Sequence, residues 1–323
     1  MLRRILSALL TAVLLLLPSG ALAKEEPAYE ALAGVLFNIR REPDSNHRIK
    51  QVPKAAEVLI YEYGEEWCRV GYDGEIGWCR TEWLWRIHSL DAVNHPLPGV
   101  MDMAGFVTLK ENTLITGGEF KGITADAGAL ICVTPQSDSA YPTPVWRGMM
   151  QLPTDAGELT PFVPWELAQP GHVIAGYTTF FNEEGRGEKG DNRVFNIKEG
   201  CVRTDGTVVR SGEAFSFNAL CGPYLKKNGY LLARNIGNDG VGYGGGICQV
   251  TTTLYNAVIQ LPLQIDEWAV HRRSGVDYVP QYFDAAVGAY SDFTFTNMLP
   301  YDIVINSHMS NGVVTVLISR TAE

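Results

Sequence analysis

Positive charge is scarce in this sequence. Lysine and arginine number 26 against 36 acidic residues, for a formal net charge of −10. With no basic stripe to neutralise phosphates, a nucleic-acid partner is excluded. Long apolar runs are scarce too. The first, from Ile5 to Leu17, is shorter than the ~20 residues a membrane-spanning helix needs, and no later stretch is long and apolar enough. The six histidines are scattered without paired ligand spacing, so a metal finds no support. A glycine run is present, but it lacks the lysine and the spacing of a phosphate-binding loop, which argues against a nucleotide. No cofactor is expected.

What the N-terminus does have is a targeting pattern. Arg3 and Arg4 precede the apolar run, and Ala21-Leu22-Ala23 follows it as a small-residue cleavage site. Residues 1–23 therefore read as a signal peptide, with the mature chain starting near Lys24 outside the cytoplasmic membrane. No cysteine follows the run to carry a lipid. Membrane contact is expected only through an uncleaved signal segment, if at all.

The remainder is globular and loop-rich: 46% hydrophobic, with 33 glycines and 17 prolines among 323 residues. From 33 to 86 the pattern is of short strands and turns. Phe37 to Arg40 alternates, Glu57 to Tyr63 is a second strand, and Asp73-Gly74 signals a two-residue hairpin. That turn sets Tyr72 opposite Glu75 and Cys68 opposite Cys79, close enough for a disulfide. The other reading is two reduced thiols on a hairpin. Trp67, Trp78, Trp83 and Trp85 are expected to fill a small core first and to form a binding surface second.

Residues 91–172 are proline-rich. Ala129 to Val133 and Val145 to Met150 read as strands, and Trp146-Arg147-Gly148 gives weak support for a second, degenerate barrel. Cys132 reads as a buried core residue. From Val173 the texture changes. Strands are expected at 175–181, 285–287, 293–296, 303–307 and 313–319, with a charged glycine-rich loop from Asn182 to Gly190. A short helix is expected to begin at Asn192, and Asn311-Gly312 signals a final hairpin. The fold class expected is mainly β, or α+β: an N-terminal β-barrel, a β-rich middle and a C-terminal α+β domain around one central helix.

That helix follows the most loaded stretch of the chain. Gly244-Gly245-Gly246 leads into Ile247-Cys248-Gln249, and Val250, Leu254, Ala257, Val258 and Leu261 recur at helical spacing before Pro262 stops the helix. Cys248 thus sits where a glycine loop becomes a helix N-terminus, and free amides and the helix dipole favour a thiolate there.

Two resemblances emerge from these motifs. Phe37-Asn38-Ile39-Arg40-Arg41-Glu42-Pro43, the Trp67 strand, the Gly71-Tyr72-Asp73-Gly74 turn and Ile76-Gly77-Trp78 resemble the bacterial SH3-like domain of cell-envelope proteins. The resemblance implies a small β-barrel that attaches enzymes to peptidoglycan or to peptides; the alternative is a barrel that only packs on its neighbour. Asn192-Arg193, Asn196-Ile197, Gly212-Glu213, Phe215 to Asn218, Gly244 to Ala257, Tyr278-Val279-Pro280 and Asp284-Ala285 closely resemble the VanW-like family over roughly 175–323. The domain expected spans 173–323. The resemblance implies an exported envelope protein whose partner is peptidoglycan or wall-linked peptides, with no settled activity. Arg193, Asn218, Gly244, Gly245, Gly246, Gln249 and Tyr255, all in its motifs, are the candidate binding residues. Cys201, Cys221 and the apolar run before His271 depart from the family pattern.

A cysteine nucleophile needs a base and a group that orients it. His271, on the strand after the helix, and then Asp284 are the candidates, in the chain order of papain-like folds. The Cys248 and Gln249 amides are the expected oxyanion donors. The bland reading is that Cys248 is structural. By parity, if Cys68 pairs with Cys79 and Cys201 with Cys221, then Cys132 and Cys248 are either both free or bonded to each other. Two functions follow: a cysteine-dependent acyl-transfer or amide-hydrolysing enzyme of the wall, or a non-catalytic wall-binding protein.

Overall fold

The structure is a computed structural model, and it describes residues 26–54, 56–90, 103–117, 120–135, 140–145, 148–181, 188–235, 240–271, 276, 278–279 and 283–322. The signal segment, Trp146-Arg147, residues 182–187 of the charged loop, Arg272-Arg273 and Pro280 lie outside the described residues. Among the described residues, no helix is long and apolar enough to cross a membrane.

The N-terminal unit is one seven-stranded antiparallel sheet, in the order Arg48–Val52, Phe37–Arg40, Glu75–Arg80, Trp67–Tyr72, Glu57–Glu62, Tyr29–Ala33, Leu84–Ser89. Its hairpin turns at Asp73 and Gly74, whose φ angles of 48° and 80° are the pair of positive values that matches strand twist. The register is Tyr72 opposite Glu75 and Cys68 opposite Cys79. The sulfurs are nevertheless unbonded, and all six cysteines of the chain are free, including Cys201 and Cys221. The disulfides expected at Cys68–Cys79 and Cys201–Cys221 are therefore absent. At the hairpin, the Cys68 thiol is turned to Thr81 Oγ1 at 3.3 Å and the Gly64 carbonyl at 3.8 Å. The core is Ile39, Val52, Ile60, Val70, Leu84 and the two cysteines. Trp67, Trp78 and Trp83 are only half-buried. Trp83 packs on Phe37 at 5.7 Å, and Arg80 covers the Trp67 ring at 4.3 Å. These rings edge the core instead of filling it, because the small central positions are taken by aliphatic side chains.

The middle region holds two antiparallel sheets. One runs Phe120–Ala125, Thr113–Gly117, Gly148–Pro153, Ala140–Val145; the other runs Leu130–Val133, Gly105–Leu109, Gly157–Pro161. Their shared core of Val107, Ile115, Ile131, Met150 and Leu152 includes Phe180 and Val313 from the C-terminal region. Cross-links reinforce that seam: the Cys132 amide donates to Thr178 Oγ1 at 2.8 Å, and Thr315 Oγ1 donates to the Leu130 carbonyl.

The C-terminal region is built on a four-stranded antiparallel sheet, Val173–Phe180, Val313–Arg320, Ile303–Ser310, Thr207–Val209. Asn311-Gly312 makes the turn between the last two strands of the chain, with Ser310 opposite Val313. Helix α1 (Glu188–Thr204) and helix α3 (Ile247–Val258) pack on the sheet and against each other. A short helix α2 (Phe217–Cys221) is capped by Ser216, whose Oγ accepts the Ala219 amide at 3.0 Å. A three-stranded sheet (Ala214–Ser216, Thr294–Thr296, Gln264–Glu267) and a ribbon (Leu232–Arg234 with Val241–Tyr243) complete it.

Three local expectations change. The helix expected to begin at Asn192 starts earlier, at Glu188, and runs to Thr204; Glu188 and Asp191 at its start and Arg203 at its end suit the dipole. The strand expected at 285–287 is irregular. Its amides are already committed, Ala285 to Thr252 Oγ1 at 3.0 Å and Ala286 to the Ala269 carbonyl at 2.7 Å. Helix α3 is buried nearly all round, not along one stripe, because its threonines and Asn256 bond to neighbouring segments.

Candidate functional site

The glycine run exists because backbone packs on backbone. Gly244 and Gly246 have φ of 75° and 107°, the left-handed region that favours glycine. A Cβ at Gly245 would collide with the Arg234 and Ala233 carbonyl oxygens, and one at Gly246 would meet Arg193 Cγ at 2.7 Å. Asn196, fully buried on α1, ties the run down, donating to the Gly245 carbonyl at 3.0 Å and the Leu231 carbonyl at 2.9 Å. The result is a rigid entry to α3, with Gly246 as its N-cap and Cys248 as its second residue.

Cys248 is half-buried at the wall of a cleft of about 870 Å3, lined also by Arg193, Asn218, Gly244, Gly245, Gly246, Gln249 and His271. The imidazole of His271 lies beside Cys248 and is hydrogen-bonded to Asp284. The Asp284 contact is at Nδ1, 2.7 Å from Oδ2. Asp284 also accepts the His271 amide at 2.7 Å, so one carboxylate oxygen fixes both the backbone and the ring of the histidine. The carboxylate is 2% exposed and the imidazole 11%. Burial works against charge on His271, but the Asp284 hydrogen bond and the neighbouring Cys248 outweigh it and hold the imidazole well above its ordinary value, at about 10. His271 follows the strand Gln264–Glu267 in an irregular segment and is not on the strand itself.

The other candidates have distinct places. Gln249 is fully buried: its Nε2 donates to Thr179 Oγ1 and the Phe180 carbonyl, each at 3.2 Å, and its Oε1 accepts from Arg193 at 2.6 Å. It braces the floor of the cleft. Asn218 accepts the Tyr224 hydroxyl at 2.5 Å and donates to the Gly288 and Ser291 carbonyls. Tyr255 does not line the cleft. It is 1% exposed, stacked on Trp268 at 5.2 Å and edge-on to Phe293 at 5.7 Å, so it supports the segment that leads to His271. At the helix start, the Gln249 amide is spent on the Gly246 carbonyl at 3.0 Å and the Ile247 amide on that of Gly244 at 3.0 Å. Among the described residues, Cys248 alone of the first three helical amides has no backbone acceptor. The expected pair of oxyanion donors thus reduces to one.

Sequence reading missed Tyr224, Tyr278, Val287 and Arg234, which also line the cleft. Burial pushes the Tyr278 and Tyr224 hydroxyls up, and the nearby Cys248 adds to both shifts, so each stays a neutral phenol. Tyr278 lies in a quoted motif, but nothing in its spacing indicated a place beside the cysteine. Among the described residues no group of three histidine, cysteine or acidic side chains is placed to hold a metal.

The fold and this site define the class: a strand-rich α+β protein with a cysteine and a histidine on one cleft and a buried aspartate behind the histidine. Residues 192–319 match the family model of VanW-like proteins and residues 33–86 that of the bacterial SH3 domain. The chain is 39% identical over 139 residues to an uncharacterized protein of Bacillus subtilis strain 168, YoaR, across 42% of this chain and 44% of that one. It thus matches less than half the length of that relative. A solved structure titled as NlpC2 from Trichomonas vaginalis shares 10% identity over 92% of this chain and 98% of its own, with a TM-score of 0.17, too low to bear on the fold. A VanW-like domain joined to a bacterial SH3 domain is the make-up of a cell-wall-associated protein.

Proposed function

We propose that the protein is exported to the cell envelope and that its C-terminal domain is a cysteine-dependent acyltransferase or amide hydrolase of wall peptides. The observation that carries this reading is the Asp284–His271 hydrogen bond with Cys248 beside the imidazole at the wall of a cleft. In this reading Cys248 Sγ attacks the carbonyl carbon of an amide while His271 holds the thiol proton. The tetrahedral oxygen lies toward the Cys248 amide at the helix start. His271 then gives its proton to the departing amine, leaving a thioester on Cys248, and water or a second amine releases the acyl group and restores the thiol. Asp284 is a positioning residue that fixes the imidazole. The signal segment at 1–23 would deliver the chain, and the SH3 domain would hold it to peptidoglycan.

Thiol labelling tests the reading. Iodoacetamide at neutral pH should modify Cys248 first, because the other five thiols are buried, with Cys132, Cys201 and Cys221 pushed up by burial to about 12. A His271→Ala variant should label more slowly and with a changed pH profile. Labelling of Cys248 only after unfolding would sink the nucleophile. One observation favours a second reading, a non-catalytic wall-binding protein: the Cys248 thiol already has a partner in the Val287 carbonyl at 3.5 Å. That reading expects Cys248 to label only as fast as its exposure allows, with a rate and pH profile that His271→Ala leaves unchanged.

A further inference from the structure

The cleft differs in charge from the chain that contains it. The chain carries a formal charge of −10, yet the described residues lining the cleft include Arg193 and Arg234 and no aspartate or glutamate. His271 adds little to that balance, because Asp284 answers its charge directly behind the wall. Arg193 is engaged with Gln249 and lies over the Phe181 ring at 5.5 Å. Arg234 is different. It is exposed, ends the strand Leu232–Arg234, and has no ion pair or side-chain hydrogen bond among the described residues. Its backbone carbonyl packs on Gly245, three residues before Cys248, which sets Arg234 on the cleft wall near the helix start.

We propose that Arg234 binds a free carboxylate of the peptide whose carbonyl is presented to Cys248, so that the cleft selects anionic peptides. The proposal rests on the acyl-transfer reading above and names its substrate class. A guanidinium matches a carboxylate with two parallel hydrogen bonds, and in a cleft whose described lining holds no competing acid that match is both attractive and orienting. A phosphate polymer is the weaker fit, because it gains from a row of cations and the described wall offers one open fork. The carboxylate has two sources, the C-terminus of the peptide or an acidic side chain.

The test uses the full chain with Cys248→Ala, so that binding is measured without chemistry. Fluorescence anisotropy would compare three dye-labelled peptides: Ala-Gln-Lys-Ala as the free acid, the same peptide as its carboxamide, and Ala-Glu-Lys-Ala as its carboxamide. At least one of the two carboxylate-bearing peptides should bind roughly tenfold tighter than the carboxamide that has none, the size expected for one charge-assisted bidentate contact. Which one does so identifies the source. Arg234→Gln should close the gap, and Arg234→Lys should restore part of it. Equal binding of all three peptides, an unchanged gap in Arg234→Gln, or tighter binding of poly(glycerol phosphate) than of either acid would overturn the proposal. Failure of iodoacetamide to reach Cys248 in the unsubstituted protein would sink the acyl-transfer reading instead, and leaves the carboxylate preference measurable on its own.

Discussion

The N-terminal sheet and the C-terminal region bury different chemistry. Among the described residues the core of the first is aliphatic, aromatic and thiol, with no buried polar or charged side chain. The second buries Asn196, Gln249, Thr251, Thr252, Thr253, Asn256, Asp284 and Asn297, each 1% exposed or less. A buried polar group costs free energy unless it is bonded, and most of these are bonded to backbone of distant segments. The lesson is one of placement. The sheet needs only to stay folded and offer its rim, whereas the C-terminal network locates a glycine loop, a helix start and a histidine relative to one another.

The largest effect that separates the two regions should come from Asp284→Ala. It leaves the buried His271 without its partner, and breaking a buried pair of this kind costs about 3–5 kcal/mol. Ile60→Ala, at a fully buried position of the N-terminal sheet, should cost a comparable ~2–5 kcal/mol. The readouts part company at Cys248. Asp284→Ala should slow its alkylation and alter the pH profile, and Ile60→Ala should leave both as they are at temperatures where the protein is folded. Denaturant melts with alkylation kinetics on the same samples decide it. If both variants change Cys248 alike, the division of labour between the regions fails.

Next in size is Gly245→Ala. Its Cβ would strike the Arg234 and Ala233 carbonyls, and relief requires the ribbon to move off the helix start, at about 1–3 kcal/mol for an overpacked site. Gly206→Ala and Gly74→Ala meet no atom and are instead strained by φ of 72° and 80°. Only the Gly245 change should shift the iodoacetamide rate at Cys248. Equal rates in all three variants would show that the glycine run is not what positions the thiol.

How far the sequence exposes this arrangement varies with distance along the chain. The Asp73-Gly74 and Asn311-Gly312 turns, the register that opposes Cys68 to Cys79, and the glycine loop leading into α3 are short-range features, and turn chemistry and helical period are enough to read them. The VanW-like and SH3 motifs likewise lie in contiguous residues. What periodicity misses is set by partners far away. Nothing local says that Thr252 trades hydrogen bonds with Ala285, so the segment at 285–287 reads as a strand. The free thiols at Cys68 and Cys79 are a further case, since register brings the backbones together but the side-chain turn toward Thr81 decides where the sulfur goes. Arg234 gives no signal at all, being an ordinary exposed arginine until the fold sets it on a cleft wall.

The smallest expected effect is a pH slope in stability, and its sign is fixed by the site. His271 has a folded value of about 10, above its ordinary 6.5, so the folded state binds the proton more tightly than the unfolded chain. The stabilisation is fully present below about pH 6.5 and is lost as the pH rises through about 10. Near neutral pH one proton sets a ceiling of about 1.4 kcal/mol per pH unit. Urea melts at pH 7 and pH 8 should therefore show a fall in stability that His271→Gln removes and that substitutions in the N-terminal sheet leave in place. The Cys132, Cys201 and Cys221 thiols, held up to about 12 by burial, add a smaller fall of the same sign as the unfolded thiols begin to ionise, and His271→Gln leaves that part in place. A His271→Gln variant with the same slope would mean that the imidazole is not held protonated by Asp284 and Cys248. The Asp284–His271 pair beside Cys248 would then be a packing arrangement without the charge that acyl transfer requires.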